Sequence, residues 1–92
     1  MSKARLHAYY SGSVHGVGFR YTAERLADDL GLAGWVMNLR DGRVEVMLEG
    51  TKEALDEFAR RIDDIFGSYI RNIDATRSAA TGEFAGFEIR FD

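Results

Sequence analysis

Apolar and polar residues alternate along several segments of the chain and recur at helical spacing along two others. In the first segment, RLHAYYSG, every second residue from Leu6 to Tyr10 is apolar, which is the period-two pattern of a half-buried strand. After a glycine-rich run, apolar residues recur at helical spacing from Phe19 to Leu30, and Gly31 follows as a typical helix-ending residue. The pattern therefore predicts a strand, a loop and a helix in that order.

The rest of the chain shows a hairpin, a second helix and two further strands. The stretch GWVMNLRDGRVEVMLEG holds two alternating runs around Asp41-Gly42, the dipeptide favoured in two-residue hairpin turns. A helix is predicted to begin at Thr51 and to end at Gly67. Its apolar stripe consists of Leu55, Phe58, Ala59, Ile62 and Phe66. YIRNIDATR and FAGFEIRF read as two last strands, the first of them irregular and compatible with a bulge.

The predicted order of elements is β-α-β-β-α-β with an additional short strand near the end. Each helix carries one apolar stripe that only the sheet can bury, so both helices are expected on the same sheet face. This order favours an α+β fold, a ferredoxin-like split β-α-β sandwich with an antiparallel sheet of four to five strands. Because no linker, repeat or low-complexity tract interrupts the pattern, we expect a single domain over residues 1–92.

This topology brings two polar residues to one edge of the sheet. In a split β-α-β unit the first two strands are parallel and the third runs antiparallel between them, so the carboxyl ends of the first two strands share an edge. Arg20 follows the first strand and Asn38 ends the second. Strands two spacings apart lie about 10 Å from each other, a gap that an arginine and an asparagine span around a small ligand.

Composition and charge exclude several classes of function. There is no cysteine and there are two histidines, so disulfides, thiol nucleophiles and zinc sites of the usual spacing are not expected. The net charge is −3 with scattered basic residues, and the third strand, RVEVMLE, has no aromatic residue, which argues against nucleic-acid binding. No apolar run approaches the roughly 20 residues of a membrane span, and MSKARLHAYY lacks the apolar core of a signal peptide. We therefore expect a cytoplasmic protein with no metal, no other cofactor, and no nucleic-acid or membrane partner.

The stretch SGSVHGVGFR has the composition of an anion-binding loop. Its three glycines allow several backbone N–H groups to point toward one centre, and the following helix adds its own unpaired N–H groups and the positive end of its dipole. Arg20 supplies a planar fork that matches two oxygens of a phosphate or carboxylate, and no acidic residue interrupts the stretch. The lysine and Ser/Thr of a P-loop are absent, and the glycine spacing of a dinucleotide site is not met.

GSVHGVGFR followed by GLAGWVMNLRDGRVEVMLEG closely resembles the acylphosphatase family, and the similarity extends to the final GFEIRF. The resemblance implies a small enzyme that hydrolyses the carboxyl–phosphate bond of acyl phosphates without a metal, with inorganic phosphate as product and competitive ligand. It assigns phosphate binding to Arg20 and positioning of the attacking water to Asn38. The cradle for the phosphate would consist of Val14, His15, Gly16, Val17, Gly18 and Phe19. A monomer suffices for such chemistry.

Two positions depart from the family pattern. His15 stands where the family most often has glutamine, and Met37, directly before Asn38, stands where arginine is frequent. If the loop acts through backbone N–H groups, the His15 side chain is tolerated. If that side chain points into the site, activity would depend on pH near neutrality.

Three other functions share parts of this pattern. A regulatory module of the same topology would bind a small ligand such as an amino acid without turnover, but such modules are usually fused to an enzyme or dimeric. An RNA-binding domain shares the order of elements and is disfavoured by the acidic third strand. A degenerate acylphosphatase would bind phosphate and turn over slowly, and only an activity measurement separates it from an efficient enzyme.

Overall fold

The computed structural model describes residues 3–91 as five strands and two helices in the order β-α-β-β-α-β-β. The elements are β1 (Lys3–Gly12), α1 (Phe19–Leu30), β2 (Ala33–Asn38), β3 (Val44–Thr51), α2 (Lys52–Phe66), β4 (Ile70–Ala79) and β5 (Phe87–Phe91). The α+β sandwich expected from the hydrophobic pattern is confirmed, including the additional strand. No helix within residues 3–91 has the length and apolar character needed to cross a membrane.

The sheet has the strand order β4-β1-β3-β2-β5. Both β1 and β2 pair antiparallel with β3, so they run parallel to each other on its two sides, and the predicted geometry is confirmed. β4 closes one edge antiparallel to β1, and β5 closes the other edge parallel to β2. The carboxyl ends of β1, β2 and β5 consequently lie at the same end of the sheet.

One face of the sheet carries the hydrophobic core. Alternate residues of β1 and β3 point toward the two helices and are buried, whereas their neighbours on the outer face are mostly half-buried. The helices contribute the buried set Phe19, Ala23, Leu26, Ala27, Leu55, Phe58, Ile62 and Phe66. Thr51 caps α2, since its Oγ1 accepts a hydrogen bond from the N–H of Ala54 at 3.1 Å. The core therefore packs α1 and α2 on one side of the sheet, as the two stripes require.

The turn between β2 and β3 is longer than the two-residue turn predicted around Asp41-Gly42, and that prediction is wrong. The N–H of Leu39 donates to the carbonyl of Arg43 at 2.8 Å, and the N–H of Gly42 donates to the carbonyl of Leu39 at 3.1 Å. Three residues therefore separate the last backbone pair, and Gly42 takes the left-handed position that such turns place last, with φ of 96°. The Asp41 carboxylate favours this turn by accepting the Arg43 N–H at 3.0 Å.

The two edge strands follow their sequence patterns. Ser11 pairs with Asn72 and the next residue, Gly12, pairs with Ile70, so Arg71 is an extra residue and the suspected bulge in β4 is present. β5 is shorter than the stretch FAGFEIRF, because residues 84–86 belong to the loop that precedes it.

A buried carboxylate fastens that loop to the outer face of the sheet. Glu49 is 5% exposed and accepts hydrogen bonds from the Nε of Arg5 at 2.8 Å and from the backbone N–H groups of Thr81 and Gly82, both at 2.9 Å. Burial disfavours the ionised form of Glu49, but these donors outweigh it and lower the pKa to about 2. The sequence pattern does not reveal this glutamate as buried, because its position on the outer face is ordinarily solvated.

We expect Glu49→Gln to lower the free energy of unfolding by about 2–4 kcal/mol near neutral pH, since the charged acceptor of four donors is lost. Because the folded-state pKa of Glu49 is depressed, its contribution is present above the unfolded-state value of 4.5 and disappears as the pH falls toward 2. Urea unfolding across this range measures the effect. The gap between wild type and Glu49→Gln should narrow with acidification, whereas Glu88→Gln, at an exposed ion pair, should differ little from wild type at any pH.

Candidate active site

The loop between β1 and α1, residues 13–18, is anchored to the core by its apolar side chains. Val14 is buried and Val17 packs against the core. Phe19, which begins α1, is buried with its ring centroid 5.1 Å from that of Tyr10 and 4.9 Å from that of Phe66. These contacts fix the backbone of the loop while Gly16 and Gly18 stay exposed. Phe19 is thus the anchor of the loop, as its apolar character suggests.

The amino end of α1 has no side-chain cap. Gly18 occupies the N-cap position with φ of 82°, and its carbonyl accepts the N–H of Thr22 at 3.0 Å, which closes the first turn. The first turn contains no acidic residue. The first backbone N–H groups of the helix, together with its positive dipole end, therefore face the loop as donors for an anion.

Gly18 adopts a conformation that side chains rarely take, although a Cβ there would meet nothing within 4 Å. We expect Gly18→Ala to cost about 1–2 kcal/mol of strain, which the loop relieves by turning its N–H groups away from the centre. Gly31→Ala is the matched control, since Gly31 ends the same helix with φ of 68° and equally open surroundings. Both variants should lose similar thermal stability, and only Gly18→Ala should bind inorganic phosphate more weakly in a calorimetric titration.

Arg20 lies in the first turn of α1 with its side chain half-buried. Within residues 3–91 its guanidinium has no carboxylate partner, and it lies over the ring of Phe91, whose centroid is 5.6 Å from Cζ. An arginine without an ion pair keeps its whole N–H fork for a ligand. Within the described residues, the positive charge of Arg20 is therefore not neutralised by a paired carboxylate.

Asn38 ends β2 on the face that carries the helices, and its Oδ1 is buried. Among the buried side-chain oxygen and nitrogen atoms of the described residues, Asn38 Oδ1 has no hydrogen-bond partner. Leaving a buried acceptor unpaired costs about 1–3 kcal/mol, so such atoms in folded proteins usually have a functional reason. The acceptor can receive an O–H from a water or a ligand hydroxyl.

Arg20, Asn38 and the loop enclose one cavity of about 240 Å³. Its lining residues are Val14, Gly16, Gly18, Phe19, Arg20, Tyr21 and Asn38. Six of the eight residues predicted for the site are therefore brought together, and the roles given to them stay predictions. Arg20 is the charged member of this set, and no carboxylate of residues 3–91 lines the cavity, so among these residues an anion of phosphate size meets attraction without an opposing charge.

Two predicted site residues, His15 and Val17, do not line the cavity. His15 is exposed, and its Nε2 lies 3.0 Å from the carbonyl oxygen of Arg43, to which it donates. The side chain thus links the loop to the β2–β3 turn, and this arrangement supports a loop that works through its backbone. Of the two alternatives for His15, the geometry therefore favours the tolerated outward side chain over the inward-pointing one.

Two aromatic residues in or beside the cavity, Tyr21 and Phe91, are not among the predicted site residues. Tyr21 lines the cavity and is 68% exposed. Phe91 does not line the cavity, but its ring contacts Arg20, which does. Within the described part of the chain, no three histidine, cysteine, aspartate or glutamate side chains come together as metal ligands. The groups available at this cavity are backbone N–H donors, the Arg20 guanidinium, the Asn38 amide and the Tyr21 hydroxyl.

Comparisons with known proteins point to one family. The family model described as Acylphosphatase matches residues 6–89. An acylphosphatase of Methylococcus capsulatus is 41% identical over 91 residues, covering 96% of this chain and 97% of that protein. An acylphosphatase of Syntrophobacter fumaroxidans is 39% identical over 94 residues, covering 99% and 95% of the two chains. The crystal structure of acylphosphatase from Bacillus subtilis matches with a TM-score of 0.87 at 37% identity, over 95% of this chain and 98% of that one.

Proposed function

Because the chain belongs to the acylphosphatase family, we propose that it hydrolyses the carboxyl–phosphate bond of small acyl phosphates to a carboxylate and inorganic phosphate. The observation that carries the proposal is the cavity in which an unpaired guanidinium, an uncapped helix end and a buried amide acceptor converge. In this proposal the guanidinium and the helix end bind the phosphate, and the amide acceptor holds the attacking water, so their convergence at one cavity suits the reaction.

The phosphate end of the substrate is held by Arg20 and by backbone N–H groups of the loop and helix end. Phosphoryl transfer passes through a loose transition state in which charge is spread over the three equatorial phosphate oxygens, so positioning and charge stabilisation supply most of the catalysis. The Arg20 fork addresses two of these oxygens, and the N–H groups around Gly18 address the third. These donors are held in place before the substrate binds, because the core anchors the loop.

The attacking water is positioned by Asn38. Its Oδ1 accepts one O–H of the water and directs an oxygen lone pair toward phosphorus, opposite the bond to the acyl oxygen. A bond forms between the water oxygen and phosphorus, and the bond from phosphorus to the acyl oxygen breaks with its electron pair leaving on the carboxylate. The proton of the water passes to a phosphate oxygen. A carboxylate leaves readily at neutral pH, so no side-chain acid is needed.

We infer that turnover proceeds without a metal ion, because the positive charge that phosphoryl transfer needs is supplied by Arg20 and the end of α1. The lining residues that the structure describes include no carboxylate, imidazole or thiol to hold a cation. Inorganic phosphate, the product, occupies the same donors and acts as a competitive ligand.

Hydrolysis of benzoyl phosphate, followed by the release of benzoate and phosphate with and without a chelator, tests this proposal. We expect turnover that resists the chelator, competitive inhibition by inorganic phosphate, and little hydrolysis of p-nitrophenyl phosphate, whose phenolate leaves less readily. Phosphate binding without turnover would mean that the cavity is an anion site that lacks the chemistry. Turnover abolished by the chelator would reject the metal-free mechanism.

We further infer that the enzyme acts as a monomer in the cytoplasm on a small soluble substrate, with neither nucleic acid nor membrane as partner. The acidic net charge and the scattered basic residues support the absence of a nucleic-acid partner. Light scattering across a range of protein concentrations tests the monomer, and a mass that rises with concentration would reject it.

A further inference from the structure

Most other arginines of the described chain pair with a carboxylate, whereas the Arg20 guanidinium contacts an aromatic ring. Carboxylates within 4 Å pair with Arg5, Arg43, Arg60, Arg61, Arg77 and Arg90. Arg20 instead lies over the ring of Phe91, with 5.6 Å from Cζ to the ring centroid. A ring holds the flat face of a guanidinium and leaves the in-plane N–H groups unused, whereas a carboxylate partner would occupy them.

The sheet register places Phe91 at this point. In the parallel pairing of β2 and β5, Phe91 is the direct partner of Asn38. Paired residues project to the same side of a sheet, so Phe91 and Asn38 both face the side that carries α1. The first turn of α1 then brings Arg20 over the ring. The end of β5 is thus next to both proposed catalytic residues, since Phe91 pairs with Asn38 and its ring contacts Arg20.

The exposure of Phe91 is unusual for its strand. The residues before it on the same face, Phe87 and Ile89, pack against the core, whereas Phe91 is 81% exposed. The Phe91 ring therefore contributes little to the stability of the core, and it contacts Arg20 instead. An exposed phenyl ring beneath an unpaired guanidinium points to a role at the cavity.

We propose that Phe91 is a positioning residue that holds the Arg20 guanidinium at the cavity with its N–H fork free for the phosphate of the substrate. The expected effect of Phe91 on turnover rests on the proposed function. The effect on phosphate binding can be tested without it. Arg20 without the ring samples other rotamers, so the phosphate meets a less organised fork, while the water at Asn38 is unaffected.

The test compares Phe91→Leu, which keeps an apolar side chain and removes the ring face, with Phe91→Tyr, which keeps the ring. Phe84→Leu is the matched control, since the Phe84 ring lies 5.4 Å beneath the guanidinium carbon of Arg5, outside the cavity. The dissociation constant of inorganic phosphate is measured by calorimetry, and KM and kcat are measured with acetyl phosphate and with benzoyl phosphate.

For Phe91→Leu we expect phosphate binding and KM to weaken by about threefold to fivefold, equally for both substrates, with kcat changed by less than about twofold. Phe91→Tyr and Phe84→Leu should match wild type. Unchanged phosphate binding in Phe91→Leu would overturn the proposal, and so would a loss confined to benzoyl phosphate, which would make the ring a contact of the acyl group instead. If wild type binds phosphate without hydrolysing either substrate, the proposed function fails, and the phosphate titrations still decide the role of Phe91.

Discussion

Arg20→Ala is expected to lower kcat/KM for acyl phosphate hydrolysis by roughly a thousandfold or more. The guanidinium is the charged group of the cavity, so its removal weakens both phosphate binding and stabilisation of the transition state. Steady-state kinetics with benzoyl phosphate measure the loss, and calorimetry with inorganic phosphate measures the part due to binding. Arg20→Lys should recover a minor part, because a lysine restores the charge without the two-pronged fork.

Arg25→Ala is the control for this result, since it removes the same charge from an exposed position on the same helix. We expect its kinetics and its melting temperature to stay close to those of wild type. Arg20→Ala should also melt close to wild type, because the Arg20 side chain forms no ion pair in the described structure. A loss of less than about tenfold for Arg20→Ala, with the fold intact, would contradict the role given to Arg20.

Asn38→Ala is expected to lower kcat by about a hundredfold or more, with phosphate affinity within about threefold of wild type. In the proposed mechanism the Asn38 amide oxygen holds the water and not the phosphate, so the loss should fall on turnover. The same change removes a buried acceptor that has no partner in the described structure, so the melting temperature should not fall. Catalytic groups often reduce the stability of the free protein and raise the reaction rate. We expect Asn38 to show both effects.

Asn72→Ala, on the exposed edge strand β4, controls for the loss of an amide elsewhere in the sheet and should leave both constants unchanged. Asn38→Asp keeps the acceptor but adds a negative charge, so phosphate binding should weaken where Asn38→Ala leaves it intact. If Asn38→Ala kept full turnover and lost phosphate affinity, the division of roles between Asn38 and Arg20 would be wrong.

The sequence predicts that Arg20, Asn38 and the loop lie together, because their placement depends on local chain features and on topology. Glycines directly before an uncapped helix and the split β-α-β order together place Arg20 and Asn38 at one edge, and both features are readable from residue order. The bounds of α1 follow from the apolar spacing after Phe19 and from Gly31, and they are confirmed.

What the sequence does not predict depends on contacts between distant segments. Phe91 reads as the third apolar residue of an ordinary strand, and only the pairing of β5 with β2 brings it under Arg20. Glu49 reads as a solvated position until the loop at Thr81 folds over it. The β2–β3 turn differs from the prediction because the Asp41 carboxylate bonds the Arg43 N–H, a side-chain contact that the Asp-Gly dipeptide alone does not specify.

Hydrolysis of benzoyl phosphate in water enriched in oxygen-18 is the most direct measurement of the central claim, that water held at Asn38 attacks phosphorus in the cavity of Arg20. We predict turnover by wild type with the label in inorganic phosphate and none in benzoate, at a rate that collapses in Asn38→Ala. Label in benzoate would place the attack at the carbonyl carbon. Absence of turnover would show that the protein does not hydrolyse this acyl phosphate. Either result would contradict the mechanism.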